Sequence, residues 1–421
     1  MDDSGLKKSD PQKYYFKILC KLMYYLGMGE CWYEPFGTTG IKKKLYNAWC
    51  IVSNGFVIIV IFNQILAHFR TDLDDKERNN LIQFTIAQPL VYSKILTLYY
   101  RRERIRVVIK RLLEGTRSIF YSLELERTTM RQSVIYIIVL LVIVYFTLLS
   151  ALFDAIGAHV KEGKPIQTEV VFYPKSSNAS TTTKIIRFCL ELQWYHLMAI
   201  MLLADGLVLA SLNTVTYKFK VIQLYYEDLR TKLLENKKKK PRREVEEEYK
   251  KGFVTGIKMH EDALWCASNV QGSMGAIYSI QVLESVTLLV MCLVKLVAAE
   301  RNVIYLLNNL AYIACLIVLT GFYMMAAGDI TYEASMVPTA MFHSGWELIH
   351  ARSDFRVLAV VALQRSQVPV QMTAFGVMTL SYTNFISVSV IVIGPCSLRL
   401  PSAGRGDAAV EPVALVFLKE S

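Results

Sequence analysis

Charged residues are scarce in this chain. Only 20% of its 421 residues are charged, whereas 53% are hydrophobic. A soluble protein needs more charge to cover its surface, but a surface that faces lipid does not. The composition therefore excludes an ordinary soluble protein and indicates a membrane protein.

The chain also lacks the residue patterns of enzymes and metal sites. Its six histidines are not spaced as metal ligands, no glycine-rich phosphate loop follows a strand, and no serine lies in a nucleophile-elbow pattern. Its eight cysteines are scattered singly, without the spacing of a zinc site or a disulfide framework. The polar first 44 residues also lack the apolar run of a cleavable signal peptide. We expect no enzyme, no cofactor and no bound metal.

Seven apolar runs are long enough to cross a bilayer, since a hydrocarbon core of about 30 Å needs about 20 helical residues. They span residues 46–69, 81–99, 133–156, 188–212, 273–297, 303–327 and 371–393. The sequence predicts an all-α, polytopic membrane protein with a cytoplasmic N-terminal segment (1–45), a seven-helix transmembrane domain (46–393) and a tail rich in Gly, Pro and Ala (394–421).

Basic residues predict the orientation of these helices. Outside the runs, 33 Lys and Arg fall on the side of the N-terminus and 12 on the other side. By the positive-inside rule the N-terminus is cytoplasmic and the C-terminus extracellular. The sequon at Asn178 falls on the extracellular side, where glycosylation is expected. The net charge of +11 is then explained by cytoplasmic loops that attract anionic membrane lipid, and nucleic acid is not an expected partner.

The longest polar stretch, residues 217–262, has apolar residues at helical spacing from Val221 to Leu234, and a basic run at 237–243 interrupts it. A nuclear-localisation signal is one interpretation of that run, but a solvated turn near anionic lipid is favoured. We predict paired helices that extend into the cytoplasm below the membrane.

Five ionisable residues lie inside the apolar runs: Lys94, Glu191, Asp205, Glu284 and Lys295. Each is costly in lipid unless it is paired or hydrated. They either line an ion path or pack within the bundle, with Glu191 and Lys295 near helix ends and the carboxyl groups of Asp205 and Glu284 bonded to neighbouring helices. The packing interpretation is favoured for any single residue.

The C-terminal third carries specific motifs. Gly328, Ile330, Glu333-Ala334, Ala340-Met341-Phe342 and Trp346 are followed by Arg365-Ser366-Gln367-Val368-Pro369-Val370, Met372-Thr373-Ala374, Leu380 and Thr383-Asn384-Phe385. These residues resemble the signature of the insect odorant receptor family around its last helix. The resemblance implies a receptor for small volatile odorants in the plasma membrane of olfactory sensory neurons. It further implies a heterotetramer with a co-receptor subunit that forms an odorant-gated, nonselective cation channel.

The resemblance also implies two kinds of site. The odorant would lie among the outer halves of helices two, three, four and six, and an apolar site suits a ligand with few polar groups. By position, the ligand-binding candidates are Phe84, Gln88, Phe146, Ser150, Phe153, Trp194, Tyr195, Met198 and Tyr305. The last helices would line the pore with a polar stripe. Its candidates are Thr379, Tyr382, Thr383 and Ser387.

Two features leave alternatives open. Beyond Val388 the chain departs from the family pattern, and Gly394-Pro395 cannot continue a helix, so we hypothesise that the tail derives from an unspliced intron or an alternative exon. A gustatory receptor of the same superfamily shares the topology but usually carries last-helix residues that are missing here. A secondary transporter would show related halves, and no internal repeat is visible.

Overall fold

Long helices form most of the part of the chain that the structure describes. The structure is a computed structural model, and it describes residues 9–36, 40–162, 170–173, 180–298, 303–349 and 353–387. The helices are α1 (Pro11–Tyr25), α2 (Ile41–Ala67), α3 (Asp75–Glu114), α4 (Leu123–Glu162), α5 (Thr181–Asn236), α6 (Arg242–Ala298), α7 (Val303–Phe342) and α8 (Ser353–Ser366). A 3₁₀ turn (Trp346–Leu348), two short strands, β1 (Thr373–Ala374) and β2 (Met378–Thr379), and a helical segment at 382–387 complete the described elements.

Five helices, α2 and α4 to α7, are long and apolar enough to span a membrane, among the residues described. The predicted run 81–99 lies within the 40-residue helix α3. Its interrupting residues Gln83, Gln88 and Lys94 are all buried inside the bundle. These three polar side chains therefore face other helices, as packed membrane helices allow.

Helix α5 occupies the centre of the bundle. It packs against α1, α2, α3, α4, α6 and α7. Its first turn is capped by Ser180, whose hydroxyl accepts a hydrogen bond from the amide of Thr183 (3.4 Å). At 56 residues it is about 84 Å long, far more than a bilayer requires. The helices predicted within 217–262 are confirmed, because α5 and α6 run on both sides of a turn at 237–241.

The chain does not form a continuous helix from Gln371, and this prediction is wrong at its start. Strands β1 and β2 pair antiparallel, with Thr373 opposite Thr379. The turn between them holds Phe375 at φ 56° and Gly376 at φ 72°, a left-handed conformation that ends any helix. Helical structure begins only at residue 382. The described residues up to Phe385 belong to one compact unit, and residues 386 and 387 fall outside it.

Candidate ligand cavity and the buried charge cluster

An apolar cavity lies inside the bundle, between five helices. Its volume is about 60 Å³. The lining residues are Phe84, Ala87 and Val91 of α3, Val144, Thr147, Leu148 and Ala151 of α4, Trp194, Met198 and Met201 of α5, Glu284 of α6, and Tyr312, Cys315, Leu316 and Leu319 of α7. We name this space the α3–α7 cavity.

Aromatic rings form one wall of the α3–α7 cavity. The ring of Phe84 packs edge-on against Trp194, with 5.3 Å between ring centroids, and against Tyr312 at 6.4 Å. Edge-to-face packing of this kind is a favourable arrangement for aromatic rings. Ligand pockets usually measure about 300 Å³ or more, so a bound molecule needs side chains to move. Met198 and Met201 are suited to this, because methionine side chains adapt easily to new shapes.

Three of the predicted ligand-binding residues, Phe84, Trp194 and Met198, line this cavity. Gln88 lies one turn after Phe84 and is fully buried, and neither of its side-chain polar atoms has a hydrogen-bond partner among the described residues. Tyr195 is half-buried and is outside the lining set.

The α4 candidates lie elsewhere. Phe146 and Phe153 point away from the bundle, with 63% and 70% of their surface exposed. The hydroxyl of Ser150 donates to the carbonyl of Thr147 (2.8 Å). Helix rotation separates Phe146 from the cavity face, because α4 presents Val144, Thr147, Leu148 and Ala151 to the cavity at three-to-four spacing. The side chain of Tyr305 is outside the described residues.

The lining residues that sequence reasoning missed share a signal. Tyr312, Cys315, Leu316 and Leu319 follow the helical period on α7, as do Phe84, Ala87 and Val91 on α3. That period marks a buried face, but it cannot show which neighbouring helix the face meets.

A cluster of buried polar groups adjoins the cavity. We call it the Lys94 cluster; it consists of Lys94, Asp205, Gln281, Glu284 and Tyr323. The Nζ of Lys94 lies 2.7 Å from Oε2 of Glu284 and 3.8 Å from Oδ2 of Asp205, and it donates to the amide oxygen of Gln281. The hydroxyl of Tyr323 donates to Oδ1 of Asp205 (2.7 Å). Asp205 and Glu284 thus have partners on neighbouring helices, in agreement with the packing interpretation.

The other intramembrane lysine is also bonded. The Nζ of Lys295 donates to Oδ1 of Asn80 (2.5 Å) and Lys295 is buried. Glu191 has interactions within the bundle and is partly buried. Among the described residues, no three His, Cys, Asp or Glu side chains lie close enough together to hold a metal ion.

The predicted pore residues do not form one stripe. Thr379 belongs to β2, so it does not share a helix face with Thr383 and Ser387, which lie in the helical segment 382–387. The carbonyl of Thr379 accepts a hydrogen bond from the side chain of Asn384 (2.6 Å). The hydroxyl of Tyr382 donates to the carboxylate of Asp329 on α7.

Two glycines of α7 receive the rings of this final segment. A Cβ built on Gly328 would lie 2.9 Å from the Tyr382 ring, and one on Gly321 would lie 2.8 Å from the Phe385 ring. Both positions therefore require glycine, because any side chain there would collide with the packed ring. The predicted glycosylation site Asn178 is outside the described residues.

A bundle of long, apolar helices around a cavity with an aromatic wall places the chain in the class of helical membrane proteins. The family model described as 7tm Odorant receptor matches residues 77–391. This chain belongs to the odorant receptor family. The match ends before Gly394, so the tail lies outside it.

Solved structures of insect olfactory receptors share the fold. The olfactory receptor OR5 from Machilis hrabei in complex with eugenol has a TM-score of 0.74 at 12% identity, and the alignment covers 92% of this chain and 97% of that chain. The same receptor in a second structure has a TM-score of 0.73 at 12% identity, over 92% of this chain and 98% of that chain. A comparison with curated proteins found no match.

Proposed function

We propose that this chain is an odorant receptor subunit that binds small volatile organic molecules in the α3–α7 cavity. The observation that carries the proposal is the enclosed aromatic wall of Phe84, Trp194 and Tyr312 in a chain of this family. Volatile molecules offer few polar groups, so burial against aromatic and aliphatic side chains supplies most of their affinity. The similar receptor whose structure contains eugenol, a small aromatic molecule, supports the same ligand class here.

We further propose that the chain forms an odorant-gated, nonselective cation channel with a co-receptor subunit in the plasma membrane of olfactory sensory neurons. A ligand opens such a channel only if it binds the open state more tightly than the closed state. The helical segment from Tyr382, with Thr383 and Ser387, is the proposed pore face. Tyr382 of this segment bonds to Asp329 of α7, which also lines the cavity, so movement of α7 is a direct route from ligand to pore.

Recording from cells that co-express this chain and the co-receptor tests the proposal. An odorant panel should evoke cation current, and the chain carrying Phe84→Ala or Trp194→Ala should need about thirtyfold more ligand for half-maximal current, since each change removes about 2 kcal/mol of apolar contact. Phe153→Ala is the matched control, because its ring faces outward. It should leave the half-maximal concentration unchanged.

Three outcomes contradict parts of the proposal. Equal effects of the Phe84 and Phe153 substitutions would place the ligand outside the cavity. Current that needs no co-receptor would contradict the heteromeric assembly. Flux coupled to substrate transport, without ligand-evoked conductance, would indicate a transporter instead.

A further inference from the structure

Glu284 belongs to two environments at once. Its carboxylate is part of the Lys94 cluster, where Oε2 lies 2.7 Å from the Nζ of Lys94. It also lines the α3–α7 cavity, where it is the charged side chain among described residues that are otherwise apolar or weakly polar. The cavity is therefore apolar over most of its surface and ends on a carboxylate.

The Lys94 cluster has more acceptors than donors. One lysine faces two carboxylates, Asp205 and Glu284, so the fully ionised cluster carries a formal charge of −1. Asp205 also accepts a hydrogen bond from the hydroxyl of Tyr323, whereas Lys94 donates a further hydrogen bond to Gln281. Oε2 of Glu284 is paired with the Nζ of Lys94, whereas Oδ2 of Asp205, 3.8 Å from that Nζ, accepts no hydrogen bond within the described part of the chain.

A carboxylate has about four lone-pair sites, so Glu284 keeps acceptor capacity beyond its contact with Lys94, and a donor supplied by a ligand can use it. Asp205 is fully buried and is not among the cavity-lining residues. Glu284 is the carboxylate that a molecule in the cavity can reach. Thr147, another polar residue of the lining, already donates its hydroxyl to the carbonyl of Ile143 (2.9 Å).

We propose that Glu284 is the polar anchor of the cavity and that the cavity selects small apolar molecules bearing one hydrogen-bond donor, a hydroxyl or an amine. The apolar body of the ligand packs against the aromatic wall, and its donor completes the Lys94 cluster. This inference rests on the proposed function, because it assumes that the ligand occupies the α3–α7 cavity.

Matched ligands test the inference on the full-length chain in lipid nanodiscs. The probes are 2-phenylethanol, 2-phenylethylamine, benzyl methyl ether and propylbenzene, together with hexanol, hexylamine, methyl pentyl ether and heptane. Dissociation constants come from the rise of the thermal unfolding midpoint with ligand concentration. In each series the alcohol or the amine should bind at least about tenfold more tightly than the ether, since hydrogen bonds to a charged group are strong. The stronger of the two tells which donor is preferred.

Glu284→Met removes the anchor while Lys94 keeps Asp205 as its counter-ion. This variant should bind alcohol, amine and ether within about twofold of one another and should bind the hydrocarbon as tightly as the wild type. Leu316→Met, a change of similar shape elsewhere in the lining, is the control and should keep the donor preference.

The outcomes separate the inference from the proposed function. Binding without donor preference in the wild type overturns the inference alone, even if Glu284→Met does not fold. A donor preference that persists in Glu284→Met also overturns it. Absence of binding by every probe overturns the proposed ligand site and this inference with it.

Discussion

At the scale of single residues, close helix contacts depend on positions where any side chain would collide. Gly256 of α6 is one of them, since a Cβ there would lie 2.5 Å from the ring of Tyr226 on α5. Tyr226 is fully buried and packs against Phe253, so it has little room to move. Sequence reasoning treats this glycine as an ordinary helix residue, because only the neighbouring helix shows the need for it.

Gly256→Ala should lower the free energy of unfolding by about 1–3 kcal/mol, the usual cost of overpacking a filled core. Gly272→Ala on the same helix is the control, since nothing lies within 4 Å of a Cβ there. It should be neutral or stabilising by up to about 1 kcal/mol, because alanine favours a helix more than glycine does. Thermal unfolding of the purified chains measures both, and equal midpoints for the two variants would contradict the packing at Gly256.

Lys94 is the counter-ion of two buried carboxylates, so its loss should be costly. Lys94→Met leaves Asp205 and Glu284 without a cation and should destabilise the chain by about 3–5 kcal/mol. The exposed Lys232, paired with Asp228 on the protein surface, is the control, and Lys232→Met should cost less than about 1 kcal/mol.

A second substitution separates lost charge from lost packing in this experiment. The double variant Lys94→Met with Glu284→Met removes one carboxylate together with its cation, and it should recover part of the folded yield. No recovery would mean that Lys94 stabilises the bundle mainly through its aliphatic stem.

At the scale of elements, the segment of β1 and β2 shows why the apolar run 371–393 predicts a helix although its first part forms strands. Residues 371–393 are apolar enough for a membrane helix, and the local sequence does not show where within this run the helix begins. In the structure the side chain of Gln271 on α6 accepts from the amide of Thr373 (3.1 Å) and donates to its carbonyl (2.8 Å). Ser279, two turns further along, accepts from the amide of Phe375 (2.9 Å). These contacts satisfy backbone groups that a helix would otherwise satisfy itself.

Gln271→Ala should therefore release this segment. Amides of residues 372–380 should exchange with deuterium at least about tenfold faster, because the loss of two hydrogen bonds lowers the local opening free energy by more than about 1.4 kcal/mol. Asn269→Ala is the control on the same helix, since the side chain of Asn269 bonds only to the carbonyl of Trp265 within α6. Unchanged exchange in Gln271→Ala would show that β1 and β2 are stable without the hydrogen bonds from Gln271.

Helix α1 is a second element whose packing against the bundle the composition of the segment does not indicate. The segment 1–45 was expected to be a polar cytoplasmic segment, yet Phe16, Leu19 and Met23 of α1 are buried against the bundle. Asp10 caps this helix, and the guanidinium of Arg117 joins Asp10 to Glu126. Partial burial lowers the pKa of Arg117, but the hydrogen bond and charge of Glu126 outweigh it, so the pKa is raised. The guanidinium of Arg117 therefore stays charged at physiological pH.

At the scale of the whole molecule, orientation is the property that the sequence predicts most directly. Lys and Arg divide 33 to 12 between the two sides of the predicted helices. An epitope tag before Lys7 should therefore be hidden from antibody in intact cells, whereas a tag beside Asn178 should be accessible. Permeabilised cells should stain with both tags. The reverse pattern in intact cells would overturn the proposed orientation.

Glycosylation gives an independent measure of the same orientation. Asn178→Gln should abolish a shift on glycosidase treatment if the loop enters the lumen during synthesis. A glycosidase-sensitive band that persists in the variant would mean that the glycan lies elsewhere.

The sequence by itself determined that this is a helical membrane protein of the odorant receptor family. These features depend only on residues close together in the chain, so they can be recognised without the structure. They are the long apolar runs, the helical spacing in 217–262 and the motifs from Gly328 to Phe385. Phe84, Trp194 and Met198 were among nine ligand-binding candidates that the resemblance and the position along the helices indicated, and all three line the cavity.

Only the tertiary structure decided which faces meet. Phe84 and Tyr312 are more than two hundred residues apart along the chain, as are Asn80 and Lys295, and no local pattern pairs them. Helix rotation turned Phe146 and Phe153 outward and brought Glu284 to the cavity beside Lys94. The physical reason is that a helical period shows that a face is buried, whereas the identity of its partner depends on how all the helices fill the interior together.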